Sequence, residues 1–381
     1  MNHRSVLAVA GSLALAVAAL CASHLPIQEG PQSQSSDSVA KPKKPATNAP
    51  APEEAPPIPS EYKKPKDIPP NTPTFRTNAT MVNVDVSVLD NHNQFIPKIP
   101  QNAFRITEDG VPQQISQFGL SEAPMTICML IEFSGRFQQF WSRGWYETLM
   151  ASYTFLSTLK PDDNVAVVEY DLRTTILSDF SPDKRRAEDA MRQLRIPGFS
   201  ESNVFDALTD MADRMSNIEG RKAILLLGTG LDTFSKITFD QARKSLQESG
   251  VPIYTISLLQ ISRMYLEGSP GMDAQIMNMD FLQADNEMKT FSKETGGLSF
   301  FPRFPGEYPN VFRQIETALR DQYSFAYHPT NVARDGKFRR IKVELVNPET
   351  NEPFRIVNDK GKPIKYQIIA KAGYKAPREV E

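Results

Sequence analysis

The chain has 381 residues, 40% of them hydrophobic and 23% charged, enough to bury one large core or two modest ones and unlike the composition of a disordered protein. Its 43 basic and 45 acidic residues leave a formal net charge of −2, so no overall positive field draws in nucleic acid or an acidic membrane face. Two cysteines, Cys21 and Cys128, exclude a disulfide scaffold, and four histidines, His3, His24, His92 and His328, leave little for a zinc cluster or a histidine-based triad.

The first segment, MNHRSVLAVAGSLALAVAALCASH, has a short basic start, an apolar stretch from Val6 to Leu20 and small residues around Ala22. That is the layout of a secretory signal, so residues 1–24 are expected to direct export to the periplasm or cell surface. An uncleaved membrane anchor is the alternative, because the apolar run nears the ~18 residues that cross a bilayer. Leu20 before Cys21 argues against lipid attachment, which needs a small residue there. Residues 25–73 are rich in Pro, Ser, Lys and Glu and poor in apolar side chains, which predicts a disordered, semi-extended linker that gives reach.

Beyond the linker, MVNVDVSVLD places Val82, Val84, Val86 and Val88 in strict alternation, the period of a strand with one buried face. FRITEDGVPQQISQF carries Glu-Asp-Gly between two apolar-containing runs, a hairpin signal. Near the C-terminus, QYSFAYHP, FRRIKVELVN and PIKYQIIAKAGY repeat the style, each broken by Gly, Pro, Asn or Asp. Neither end has strands enough for its own core, so residues 74–122 and 322–377 are expected to pack as one small β-sandwich.

Residues 123–321 read differently. TICMLIEF, NVAVVEY, KAILLLG and VPIYTISLL are short continuous apolar runs, as in strands buried on both faces of a parallel sheet. Helical stripes lie between them: Trp145, Leu149, Leu156 and Leu159; Val204, Leu208, Met211 and Met215; Phe312, Ile315 and Leu319. TFDQARKSLQE before Gly250 and MDFLQADNEMKTFSKE before Gly296 add two helices that stop on glycine. RMYLEGSPGMDAQIMNMDFL, broken by Gly and Pro, reads as a methionine-rich loop. The alternation predicts a doubly wound, mostly parallel α/β sheet inserted in the sandwich.

Ligands of such sheets bind beyond the carboxyl ends of the strands, where the strand order reverses. Three segments are expected there: Glu132-Phe133-Ser134-Gly135-Arg136; Ser202-Asn203-Val204-Phe205-Asp206, with Ser202 placed to cap a helix; and Gly228-Thr229-Gly230-Leu231-Asp232. Asp206 and Asp210 suit a helix start, where acids complement the dipole. Gly228-Thr229-Gly230 lacks the Lys-Ser/Thr of a phosphate loop, and Ser134 lacks the Gly-x-Ser-x-Gly elbow of a hydrolase.

The passages VDVSVLD, AFRITEDGVPQQISQF, LKPDDNVAVVEYD, VFDALTDMADRM, KAILLLGTGLDTFS, FSKETGGLSFFPR, IETALRDQYSFAYHPTN and KFRRIKVEL follow in this order, with a late AKAGYKAP. Together they resemble the von Willebrand factor A-type (VWA) domain, and more closely the exported VWA-related family of acidobacteria, over nearly the whole chain after the linker. The resemblance implies a VWA/Rossmann-like fold whose loops carry a metal-ion-dependent adhesion site: Asp-x-Ser-x-Ser, then a Thr, then an Asp. Such a site holds a hard divalent cation that also accepts a carboxylate from a partner. In this chain Glu132 stands for the first Asp, Ser134 is kept, Arg136 replaces the second Ser, Ser202 the Thr and Thr229 the later Asp. Two carboxylates become one and a guanidinium is added. Glu is also longer by one carbon-carbon bond, about 1.5 Å. The degenerate site is therefore expected to be metal-free, or at most a weak Mg2+ binder, with Arg136 supplying the positive charge and Glu132 its partner. Asp232 would restore a ligand only through a shift of its loop. An ordinary solvated Glu132–Arg136 pair at a strand end is the plainer alternative.

These features imply a non-enzymatic module that binds a protein or peptide through Glu132, Ser134, Arg136, Ser202, Thr229 and Asp232. Nucleic acid is not expected as a partner, and membrane contact is expected only through an uncleaved N-terminal segment. The first alternative is a structural subunit of a cell-envelope complex that binds through the sandwich. The second is a periplasmic serine hydrolase using Ser134.

Overall fold

The computed structural model describes residues 81–120, 124–135, 144–194, 199–260, 263, 272–358 and 360–378. The expected leader and linker therefore lie outside the described residues, and so does Arg136. In chain order the elements begin with strands Val82–Asp90 (β1), Phe104–Glu108 (β2), Val111–Gln113 (β3), Ile115–Leu120 (β4) and Met125–Glu132 (β5). Helix Gly144–Thr158 (α1), strands Asn164–Tyr170 (β6) and Thr174–Ser181 (β7), and helices Lys184–Met191 (α2) and Val204–Ser216 (α3) follow. Then come Arg221–Gly228 (β8), Phe239–Ser249 (α4), Ile253–Ser257 (β9), Met272–Thr295 (α5), Ser299–Phe300 (β10) and Tyr308–Arg320 (α6). Strands Tyr323–Tyr327 (β11), Phe338–Leu345 (β12), Tyr366–Ala370 (β13) and Gly373–Lys375 (β14) complete the order.

The central sheet runs β10-β9-β8-β5-β6-β7. Its strands are parallel except β7, which pairs antiparallel with β6 at the edge. Counted along the chain this is the 3-2-1-4-5-6 order of a doubly wound sheet, with the reversal between β5 and β8. The continuous apolar runs have two cores to fill. On β5, Ile127, Met129 and Ile131 join Phe155, Met191, Phe312 and Ile315 of α1, α2 and α6, whereas Cys128 and Leu130 join Val204, Leu208, Leu246 and Phe291 of α3, α4 and α5. Each such side chain, fully buried, contributes about 1.5–3 kcal/mol. α4 shows how local sequence sets helix ends: Thr238 and Gln241 form a capping box, and Gly250 closes the helix at φ 66°.

The outer strands form two antiparallel sheets, β13-β1-β11-β4 and β14-β12-β2-β3. The alternating valines of β1 face a shared core with Phe104, Ile106, Tyr323, Phe325 and Tyr327. Asp109 and Gly110, at φ 47° and 85°, make the left-handed turn that joins β2 to β3. A polar knot is sealed inside this sandwich. Glu108 accepts from Arg339 at 3.3 Å and from the hydroxyls of Tyr327 and Tyr374 at 2.7 and 3.0 Å, while Arg339 also donates to the carbonyls of Asn331 and Ala333.

Two parts of the architecture differ from expectation. β7, α2 and β10 had no counterpart in the reading of the sequence: β7 is a half-exposed edge strand of mixed polarity, and α2 is a short helix that buries only Ala187, Ala190 and Met191. α5 begins at Met272, so the second half of the expected methionine-rich loop is helical. Among the described residues no helix is long and apolar enough to cross a membrane.

Candidate functional site

β5 stays apolar until Glu132, and the reason lies across the sheet. Glu132 is 2% exposed. Its Oε2 accepts from the Thr229 backbone NH at 2.6 Å and the Thr229 hydroxyl at 2.7 Å, and its Oε1 accepts from the Ser134 hydroxyl at 2.9 Å. The Tyr170 hydroxyl reaches Oε2 at a long 3.5 Å. Glu132 and Tyr170 are register partners on β5 and β6, so this acid ties together the carboxyl ends of β6, β5 and β8 at the reversal. Loss of solvation raises the Glu132 pKa above the usual carboxylate value, and the bonds from Thr229, Ser134 and Tyr170 offset part of the rise. Burial, reinforced by the charges of Glu132 and Asp232, pushes the Tyr170 phenol up as well. Gly228 makes the close approach possible, since a Cβ there would lie 2.5 Å from the Tyr170 hydroxyl and 2.8 Å from Glu132 Oε2.

The second and third segments meet each other. The Ser202 NH donates to Thr233 Oγ1 at 2.8 Å, and the Ser202 carbonyl accepts from the Thr233 and Phe234 NH groups at 2.8 and 3.1 Å. Ser202 does not cap α3, contrary to expectation; the N-cap residue is Asn203, which makes no side-chain cap bond. The cap is supplied by the loop after β8. Asp232 Oδ1 accepts from the Phe205 NH at 3.4 Å and Ser235 Oγ from the Asp206 NH at 3.1 Å. Asp206 in turn accepts from the NH groups of Lys236 and Ile237 at 3.0 and 3.3 Å, so it orders that loop besides facing the helix dipole. Burial raises the pKa of Asp232, with the bonds from Ser235 and Phe205 opposing. The Ser202 hydroxyl is buried without a hydrogen-bond partner.

A hard dication needs several oxygens free to face it, six in the case of magnesium. Here one Glu132 oxygen already takes two short bonds and the other takes the Ser134 hydroxyl, while both Asp232 oxygens accept from Ser235. Among the described residues no group of three or more His, Cys, Asp and Glu side chains could hold a metal ion. Among the described residues, the committed Glu132 and Asp232 carboxylates do not fit the divalent site that the VWA resemblance implies, and the unpartnered Ser202 hydroxyl adds a single neutral oxygen.

The structure thus brings Glu132, Ser134 and Thr229 into one knot and places Ser202 and Asp232 in a neighbouring one. Pairing of Glu132 with Arg136 falls outside the described residues. A solvated Glu132 is not what the strand end presents. Tyr170 and Ser235 have no part in the reading of the three segments, and Gly228, which belongs to the third, is not read there as the close-approach residue. A signal existed for Tyr170: it closes NVAVVEY at the level where Glu132 closes CMLIE.

No family model matches the chain, and no curated protein matches it. Among solved structures it is similar to a von Willebrand factor type A protein from Catenulispora acidiphila, at 11% identity over 80% of this chain and 76% of that one, with a TM-score of 0.40. It is similar also to the vWF domain of a type V pili tip protein from Porphyromonas gingivalis, at 14% identity over 51% of this chain and 96% of that one, TM-score 0.38. An aerotolerance-related membrane protein from Bacteroides fragilis gives 12% identity over 51% of this chain and 98% of that one, TM-score 0.37. The order and directions of the chain's own strands fix its class: a VWA/Rossmann-like sheet flanked by an antiparallel sandwich.

Proposed function

We propose that the chain is an exported, non-catalytic module that binds a protein or peptide through the loops at the carboxyl edge of its sheet, without a divalent ion. The observation that carries this reading is the Glu132 knot. At the point where doubly wound folds bind their ligands, the carboxylate that would face a metal is committed to Thr229 and Ser134. Glu132, Ser134, Ser202 and Thr229 are each at most 3% exposed, so their part is to hold the loops in shape. Contact with a partner falls to the half-buried Asp232 and to Arg136, whose fixed charge stands in for a dication. The leader-like residues 1–24 and the linker of residues 25–73 support export and reach.

Two measurements test the reading. In millimolar magnesium or manganese the melting temperature should stay unchanged; a rise that disappears in Glu132→Gln would overturn the metal-free half. In crosslinking to the native envelope fraction followed by mass spectrometry, Arg136→Ala should lose the wild-type partner and Lys342→Ala, on the exposed side of β12, should keep it. The reverse pattern would move the contact to the sandwich.

A further inference from the structure

Beside the Glu132 knot a groove of about 680 Å3 opens between the loop after β8 and the middle turns of α5, from Met277 to Glu287. Phe205, Phe239 and Phe281 give it apolar walls, with the rings of Phe205 and Phe239 6.1 Å apart. Asp232, Asp280 and Glu287 also line it, and among the described residues no lysine, arginine or histidine does. Burial raises the pKa of Glu287 and the charge of Asp232 adds to the rise, against a bond from Gln283, so these two acids sense one another across the groove. On α5 the apolar surface continues outward: Ile276, Met279 and Leu282, three residues apart, are 53%, 69% and 44% exposed.

We propose that this groove docks a cationic-apolar peptide segment of a partner protein, with a lysine or arginine side chain facing Asp232, Asp280 and Glu287 and an aliphatic or aromatic neighbour against the three phenylalanines. The inference rests on the reading of the carboxyl edge as a protein- or peptide-binding surface and gives that surface its chemistry. Charge complementarity selects the occupant: three carboxylates, with no cation beside them in the lining among the described residues, repel an acidic segment and hold a basic one, and at the half-buried Asp232 and Glu287 that attraction is stronger than in water. Aromatic faces add to the hold on a cation. The volume lies within the ~300–1,000 Å3 typical of sites that enclose a small ligand, enough for a few anchoring side chains.

The test uses the full-length chain, immobilised, and a displayed library of random octapeptides. Selected peptides should be enriched in lysine or arginine next to an aromatic or branched aliphatic residue. A resynthesised winner should weaken with added salt and lose at least about tenfold in affinity on the double variant Asp280→Asn, Glu287→Gln, with the variant's melting temperature checked for intact folding. Peptides that lack the cationic bias, or that bind the double variant as well, overturn the groove; if those same peptides are lost on Arg136→Ala, the edge reading stands without it. No enriched peptide of any kind sinks both. A manganese-dependent rise in melting temperature, lost in the double variant, would make the groove a cation site. Dimerisation in sedimentation, lost in the same way, would make the occupant a second copy. Either result overturns the proposal.

Discussion

Replacing Glu132 separates the two things its carboxylate does, which are to satisfy buried donors and to carry a buried charge. In Glu132→Ala the Thr229 NH, its hydroxyl and the Ser134 hydroxyl all lose an acceptor within 2.9 Å. The hydroxyls can turn, but the NH cannot, and a buried donor left unmet costs about 1–3 kcal/mol. Adding the void left by the missing side chain brings the loss to about 3 kcal/mol, since truncations at well-packed sites commonly cost about 2–5 kcal/mol. In a domain of this size that is a fall of about 6–12 °C in Tm, at about 2–4 °C per kcal/mol. Glu132→Gln keeps an acceptor for both Thr229 bonds, lets the Ser134 hydroxyl reverse, and removes the charge, so its stability should stay within about 1 kcal/mol of wild type. The pH dependence has a definite sign. The folded pKa of Glu132 lies above its ordinary value of 4.5, so the folded state holds the proton more tightly, and the wild-type chain loses that contribution as pH rises from 4.5 through the folded value. The amide has no such slope. Urea melts of the three proteins between about pH 4.5 and about pH 8 should show the Gln-minus-Glu difference rising and then levelling off. An alanine variant as stable as wild type would refute the role of the knot. A glutamine variant that falls as far as alanine would refute the uncompensated charge and point to Arg136 as its counter-ion.

Arg339→Met should destabilise the sandwich by about 3–5 kcal/mol, because it removes one partner of a buried ion pair and leaves Glu108 sealed in without its cation; a loss below about 1 kcal/mol in urea melts would show the pair to be dispensable. Gly228→Ala should cost about 1–3 kcal/mol by driving a methyl into Tyr170 and Glu132, and adding Tyr170→Phe should recover part of the Tm by removing the nearer oxygen. Cys128 is fully buried, and burial pushes its thiol up, so in a Cys21→Ser background it should react with a thiol reagent no faster than the protein unfolds globally. Rapid labelling under native conditions would contradict the tight core beneath β5.

Strands buried on both faces announce themselves by composition, which is why the parallel sheet was legible in TICMLIEF and KAILLLG, and why the alternating valines of β1 marked the sandwich. β7 is not legible in that way, because an edge strand beside β6 is half solvated and needs no apolar run. The start of α5 was hidden by Gly268, Pro270 and Gly271, which signal a loop up to the residue before the helix begins. At the site, Glu132, Ser134 and Thr229 could be placed together because strand ends in a parallel sheet share one edge. What Glu132 bonds to could not be read in full from the chain, since its two shortest bonds come from Thr229, just after β8 and 97 residues away in sequence. The same limit explains Ser202: the residue next to a helix start looks like its cap, and only tertiary structure shows Asp232 and Ser235 filling that role.

The sandwich is assembled from both ends of the chain, with Val86 opposite Tyr323 and Ile106 opposite Val343. Neither of its sheets can close before the last strands have been synthesised, whereas the α/β segment has its neighbours close at hand and can settle while the remainder is still emerging. By settling first it brings β1 and β11 within reach and shortens the search for the late strands. A polypeptide cut off before Tyr366 would lack β13 and leave Val86–Asp90 of β1 unpaired on that side, a template on which a second incomplete copy can pair. Arrival of β13 and β14 is therefore the step that separates a sealed molecule from a sticky one.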